Sequence, residues 1–279
     1  MKIFMKTDIL AFLLAALFLP LVMTAQQNAN LRYEVMLSES MSDSLKNLNF
    51  ISCIDVSPDR LITISTQEKI YLLGWGGMAQ YGKKSVEPIS SFAYSHDSLL
   101  FIICGKSLCY IDSTGTFREL LKLPNADMGI SAGKSVMYIY DRNKADKHYH
   151  LYAYAGGGIY KNILYSPRPI MAVAEMADSL YIASGSGIYS YSPAGGKMNL
   201  AAGLQKDNVV LSISPDYAHN TLFFSLRDAI FAIRNGSIYN VTGDFGGGTV
   251  KCFKNGVIIF NSGTKDVIRI VSKDGACVF

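Results

Sequence analysis

Charge is scarce in this 279-residue chain: Asp, Glu, Lys and Arg make up 17% of it, and the net charge is +4. Apart from Lys83-Lys84 there is no basic cluster. The electrostatic footprint that nucleic acid requires is therefore missing, and no nucleic-acid partner is expected. Histidine is limited to four residues and tryptophan to one. Beyond residue 25 every apolar run is short and broken by turn residues, so none could span a membrane as a helix, and helical periodicity is hard to find. There is no Gly-x-Ser-x-Gly elbow, since Ala183-Ser-Gly-Ser-Gly187 lacks the first glycine. The glycine triplets at 156–158 and 246–248 open no helix and precede no Lys-Ser/Thr, which makes them turns and not phosphate cradles. No catalytic residue and no cofactor is assigned on these grounds.

What the chain does have begins with a leader. Lys2 and Lys6 precede an apolar run from Ile9 to Met23, and Thr24-Ala25 then meets the polar Gln26-Gln27-Asn28. That order reads as a secretory signal peptide over residues 1–25. The run is shorter than the ~20 residues that cross a bilayer, and no Cys stands near residue 25 to take a lipid. The mature chain is expected without a membrane span, in the periplasm or at the cell surface.

Past the leader, one pattern returns about every forty residues. It runs through an apolar strand, a Ser/Asp/Gly turn, a second strand, and an aliphatic-aromatic pair opening a third. The clearest unit starts at Ile89, turns at Ser95-His96-Asp97-Ser98, continues through Leu99–Ile103 and Leu108–Ile111, and ends on the more polar Thr116–Leu121. Units also start near Ile51, Met128, Ile170, Val209 and Thr249, and their third-strand positions are Tyr71, Tyr110, Tyr152, Tyr189, Phe231 and Ile270. A four-stranded blade cannot bury both faces alone, so blades stack around an axis. The expectation is an all-β, six-bladed β-propeller of four-stranded antiparallel blades over residues 50–279, preceded by a closing strand and connector over 26–49. Leu31–Leu37 should close the ring by pairing near Ala276–Phe279. The innermost strand of each unit should be the most continuously apolar, with Ala93, Ser131, Ala172 and Ser212 easing its approach to the axis. The Asp141–Lys147 insertion, whose charges have no evident partners, should be exposed.

The strand, Ser-Pro-Asp turn, strand, aliphatic-aromatic order resembles secreted bacterial six-bladed propellers of the NHL type and the two-component-regulator propeller repeat. Asp178-Ser-Leu-Tyr-Ile-Ala-Ser-Gly-Ser-Gly-Ile-Tyr-Ser-Tyr191 looks most like the latter. The resemblance covers about residues 50–279 and concerns repeat grammar, so it implies a fold and not a function. Six-bladed lactonases resembling gluconolactonase hold calcium with Glu, Asn and Asp at the axis, and no counterpart of that set stands out here.

Few side chains invite chemistry. Cys104 and Cys109 flank the Gly105-Lys106-Ser107 turn, so a cross-hairpin disulfide is geometrically open to them; five buried thiols acting as small hydrophobes is the alternative. His148 and His150 share a face of a strand and could hold a metal with Asp141 or Asp146 as a third ligand, or simply belong to an aromatic-rich strand. Trp75, among Gly74, Gly76 and Gly77, is the candidate surface anchor for a sugar or a partner. The functional expectation is a non-enzymatic binding or scaffolding propeller of the cell envelope that recognises an envelope protein or glycan through its loop face. The alternative is a lyase or lactonase acting at the central channel. Three or more convergent carboxylate, Asn or His side chains around the axis would favour the enzyme, and an aromatic rim would favour the binder.

Overall fold

The structure, a computed structural model, describes residues 31–35, 44–48, 51–58, 61–74, 77–143, 147–158, 160–185, 187–193, 195–205, 208–242, 248–253, 256–261 and 265–272. The leader, Trp75, Asp146 and Ala276–Phe279 lie outside the described residues. The chain opens with β1 (Leu31–Val35). Blade 1 is β2 (Cys53–Val56), β3 (Ile62–Ser65), β4 (Ile70–Gly74) and β5 (Gly77–Tyr81); blade 2 is β6 (Ile89–Tyr94), β7 (Leu100–Cys104), β8 (Ser107–Ile111) and β9 (Phe117–Lys122). Blade 3 is β10 (Met128–Ala132), β11 (Met137–Asp141), β12 (Tyr149–Tyr154) and β13 (Tyr160–Ser166); blade 4 is β14 (Ile170–Met176), β15 (Ser179–Ser184), β16 (Gly187–Ser192) and β17 (Lys197–Gly203). Blade 5 is β18 (Ser212–Asp216), β19 (Thr221–Ser225), β20 (Ile230–Arg234) and β21 (Ser237–Thr242); β22 (Gly248–Phe253), β23 (Gly256–Asn261) and β24 (Asp266–Ser272) begin blade 6. These are six separate four-stranded antiparallel sheets, a six-bladed β-propeller, and all six predicted third-strand positions fall on third strands. Among the described residues no helix is long and apolar enough to cross a membrane.

The last blade has the order β1-β24-β23-β22, so the N-terminal strand supplies its outer edge. As expected, β1 closes the ring by pairing with the last blade, in a register from Leu31↔Ser272 to Val35↔Ile268, just before the expected Ala276–Phe279. A second closing element is the helical turn at 44–46. Its Leu45 is fully buried between Ile54, Ile62 and Ile64 of blade 1 and Ile258, Phe260 and Val267 of blade 6. The Lys265 ammonium donates to the carbonyls of Lys46 and Leu48 and fixes the turn to blade 6.

Each hydrophobic cluster straddles two blades. Ala172, Ala174 and Ile188 of blade 4 meet Ile213, Leu222 and Phe224 of blade 5, and Tyr138, Tyr140 and Leu151 of blade 3 meet Ile170, Val173 and Ile182 of blade 4. Burying side chains of this size stabilises by about 1.5–3 kcal/mol each, which makes the contact between blades, more than the ladder within them, the source of cohesion. In blades 1, 3 and 5 the second strand is more continuously buried than the innermost, whereas in blade 4 both are interrupted. β3, β11 and β19 are buried at every residue, whereas β2, β10 and β18 have half-buried ends. The second strand is covered on both faces by neighbouring blades, while the inner strand has one edge on the axial channel.

At Gly129 the inner strand of blade 3 carries no side chain, and the ring of Tyr140, its partner across the ladder, lies over that position. A Cβ on Gly129 would sit 2.2 Å from Tyr140 Cε2 and 2.7 Å from its hydroxyl oxygen. Burial pushes the Tyr140 phenol up.

Two outcomes follow for thermal unfolding. Deleting residues 28–40 should lower the melting temperature by many degrees, and an unchanged transition would remove β1 from ring closure. Gly129→Ala should destabilise by about 1–3 kcal/mol through overpacking. Paired with Tyr140→Ala, its added cost should fall to within about 0.5 kcal/mol in a double-mutant cycle.

Candidate functional site

The inner strands converge on one open cavity of about 760 Å³, located where they turn into the second strands. All six blades contribute: Asp55 and Ser57 from blade 1, Tyr94 and His96 from blade 2, Gly133 and Lys134 from blade 3. Glu175 and Asp178 come from blade 4, Ser214, Tyr217 and Asn220 from blade 5, and Lys251 and Cys252 from blade 6. The cavity therefore lies on the ring axis.

Asp55 joins three blades. Its Oδ1 lies 3.0 Å from Lys251 Nζ of blade 6, and its Oδ2 accepts the backbone N–H of Tyr94 of blade 2 at 3.0 Å. Burial pulls the Lys251 ammonium down, but the adjacent Asp55 carboxylate more than offsets this, and the balance lies above the ordinary lysine value. Elsewhere the inner strands are bridged by serine: Ser91 Oγ accepts from Ile130 N at 3.3 Å, and Ser214 Oγ from Cys252 N at 2.9 Å. These side chains stand in for a backbone ladder that adjacent blades do not share.

Across the cavity, Glu175 is held by neutral donors. Its Oε2 accepts the Tyr138 hydroxyl at 2.9 Å and the backbone N–H of Lys134 at 3.0 Å. Gly133 makes the space, because a Cβ there would lie 2.3 Å from Glu175 Oε2. Burial, and then the bond to Glu175, push the Tyr138 phenol well up, and the Tyr217 phenol also lies above its ordinary value. Tyr217 remains 61% exposed at the mouth. Its loop is fixed by Asp216, whose Oδ1 accepts Ala218 N at 3.1 Å and whose Oδ2 lies 2.8 Å from His219 Nδ1.

The residues singled out in the sequence lie elsewhere. Trp75 is outside the described residues. His148 and His150 do share a face, on the outer part of blade 3 and away from the axial cavity. His150 Nδ1 lies 3.2 Å from Asp141 Oδ2, His148 Nδ1 lies 2.5 Å from the Tyr165 hydroxyl, and the His150 ring stacks on Tyr152 with centroids 5.7 Å apart. Among the described residues no three His, Cys, Asp or Glu converge as metal ligands. Asp141 is not exposed as expected but fully buried at the end of β11, where Asn125 Nδ2 donates to it at 2.7 Å. Cys104 and Cys109 are free thiols. The hairpin turn is only two residues long, so Cys104 pairs with Ser107 and Cys109 with Ile102, which leaves the two thiols as diagonal neighbours. The hydrogen bond they share, and then burial, push the Cys104 thiol up. Glu175 and Tyr217 were not found from the sequence; the one available signal is that Glu175 stands near the end of an inner strand and Tyr217 just past one, both beside a turn.

No family model and no curated protein sequence matches the chain. Similarity appears among solved structures. The extracellular domain of BT4673 from B. thetaiotaomicron, described once as a one-component and once as a hybrid two-component system, superposes with TM-scores of 0.57 and 0.56 at 13% and 11% identity. The matches cover 79% and 86% of this chain and 32% and 39% of those chains, so this chain spans well under half of their length. XC5397 of Xanthomonas campestris, a gluconolactonase, gives a TM-score of 0.69 at 10% identity, covering 88% of this chain and 91% of that one. A chain of the nidogen/laminin complex gives 0.59 at 11%, covering 78% and 99%. Likeness at these identities establishes the propeller fold, and at that level the resemblance to two-component propellers holds.

Lys251→Met should lower stability by about 1–3 kcal/mol, because it strands Asp55 without its cation; the loss stays below that of a fully buried pair since the Lys251 side chain is 27% exposed. The folded-state pKa of Lys251 lies above its unfolded value of about 10.4, so its contribution is complete below that pH and is lost as pH rises through the folded value. The melting-temperature gap between wild type and variant should therefore stay level from about pH 7 to 9 and narrow above about pH 10.5. A gap that widens there would contradict the pairing.

Proposed function

We propose that the protein is a non-enzymatic binding propeller of the bacterial cell envelope, exported by its leader to the periplasm or cell surface, and that it engages an envelope protein or glycan through the axial cavity. The observation that carries this reading is a cavity of about 760 Å³ with walls from all six blades, a size and shape suited to ligands held by a rigid frame. Its rim carries a well-exposed aromatic, Tyr217, on a loop locked by Asp216, so little conformational freedom is lost when a partner docks on it.

A lactonase or lyase at the channel is the competing class, and it draws on the gluconolactonases of the same fold. Acid–base chemistry there needs carboxylates free to exchange protons. The cavity does meet the convergence that favours an enzyme, since Asp55, His96, Glu175, Asp178 and Asn220 all line it; against that reading, Asp55 is committed to Lys251 and to the amide of Tyr94, which removes it as a working partner for Glu175.

Envelope extract passed over immobilised protein tests the reading. Wild type should retain a defined protein or glycan, Tyr217→Ala should lose most of it, and Trp75→Ala reports whether the loop around that residue contributes. Metal-dependent hydrolysis of a lactone panel by the wild type, with no partner retained, would overturn it.

A further inference from the structure

Among the described residues, most carboxylates with side-chain contacts are matched by Lys or Arg, while Asp141 and Asp216 face histidine. Asp55 has Lys251, Asp112 has Arg118, Glu119 has Lys122, Asp127 has Arg142, and Glu68 has Lys84. Glu175 is different. It is half-buried, lines the axial cavity, and has only a phenol and a backbone amide as donors. Both donors use Oε2, and Oε1 accepts no hydrogen bond from the described residues. Among the described residues, the buried side-chain polar atom left unsatisfied is Asn240 Oδ1, so Glu175 Oε1 is not fully buried, and the residue lines the cavity.

The carboxylate is also held in position. Gly133 leaves room for it where a Cβ would come within 2.3 Å, and the Tyr138 hydroxyl and Lys134 amide fix one oxygen so that the other is presented. Beside it stand the exposed ring of Tyr217, on the rim the exposed carboxylate of Asp178, and the exposed side chain of Lys134, whose backbone amide bonds Glu175 while its ammonium forms no ion pair with it among the described residues. A partly desolvated carboxylate with neutral donors gains most from a cation, and an aromatic face adds to that attraction. On the opposite wall the Lys251 ammonium is occupied by Asp55 at 3.0 Å and does not neutralise Glu175.

We propose that the side of the cavity formed by blades 3, 4 and 5 receives the cationic side chain, guanidinium or ammonium, of a basic segment on a partner protein. This rests on the cavity being the binding site. Glu175 Oε1 accepts from the incoming group, Tyr217 covers its apolar stem, and Asp178 draws it to the rim.

The test is a calorimetric or NMR titration with acetyl-Gly-Arg-Gly-amide, its lysine counterpart, and the isosteric citrulline peptide. The arginine or lysine peptide should bind saturably, with the citrulline peptide at least tenfold weaker. Glu175→Gln, which keeps an acceptor for Tyr138 and Lys134, should weaken the basic peptides at least tenfold, and raising salt should weaken them in the wild type. A melting curve checks that the variant folds; if it does not, Asp178→Asn gives the readout, with at least a threefold loss expected. Absence of saturable binding by both basic peptides, equal binding of citrulline, or a dissociation constant unchanged in the folded variant overturns the proposal. An envelope partner lost with Tyr217→Ala but kept with Glu175→Gln refutes the cation and spares the cavity as a binding site. A partner indifferent to both refutes the two together.

Discussion

Adjacent blades of this ring share no backbone ladder, and the contact that compensates for this at the seam is the carboxylate of Asp55. It reaches the last blade through Lys251 and the second blade through the amide of Tyr94, so three of the six sheets meet at one side chain. The apolar clusters between blades supply the bulk of the cohesion, but they are non-directional and would tolerate sliding. Directional bonds from Asp55, Ser91 and Ser214 to the next inner strand fix how far one blade is rotated against another. The axial cavity inherits its shape from that rotation.

Within the cavity two of the three carboxylates, Asp55 and Glu175, are treated in opposite ways. Asp55 is neutralised by the protein and serves architecture. Glu175 is positioned by neutral donors over a glycine and keeps an open oxygen. The difference comes from their places in the ring: Asp55 stands at the seam, where two blades must be joined without a continuous sheet, and Glu175 stands between blades that are consecutive in the chain and already packed through Tyr138, Val173 and Leu180. Stability at one wall thereby leaves the other available for recognition.

The architecture was legible because periodicity is a local property. Tyr71, Tyr110, Tyr152, Tyr189 and Phe231 mark third strands by their spacing alone, and Leu31–Val35 reads as a strand without a unit of its own. The site was much less legible. That Tyr140 crosses Gly129, or that Glu175 sits on Gly133, depends on register and on which face of one blade meets the next, and neither is written in a strand pattern. Asp141 looked exposed because its partners, Asn125 and His150, lie on either side of it in sequence and come together only when the chain between blades 2 and 3 packs back. The common face of His148 and His150 followed from their spacing, whereas the diagonal offset of Cys104 and Cys109 depended on the length of one turn.

One sheet of this ring is made from strands some 235 residues apart, because β1 completes the blade that β24 belongs to. During synthesis β1 emerges first and has nothing to pair with until nearly the whole chain has followed. Closing so long a loop is entropically unfavourable, and contacts this distant in sequence slow folding. The early blades can assemble in order as an open arc, but its two end faces stay uncovered until the final strand arrives. A chain of this kind is most exposed to proteases and self-association in the interval before its ends meet.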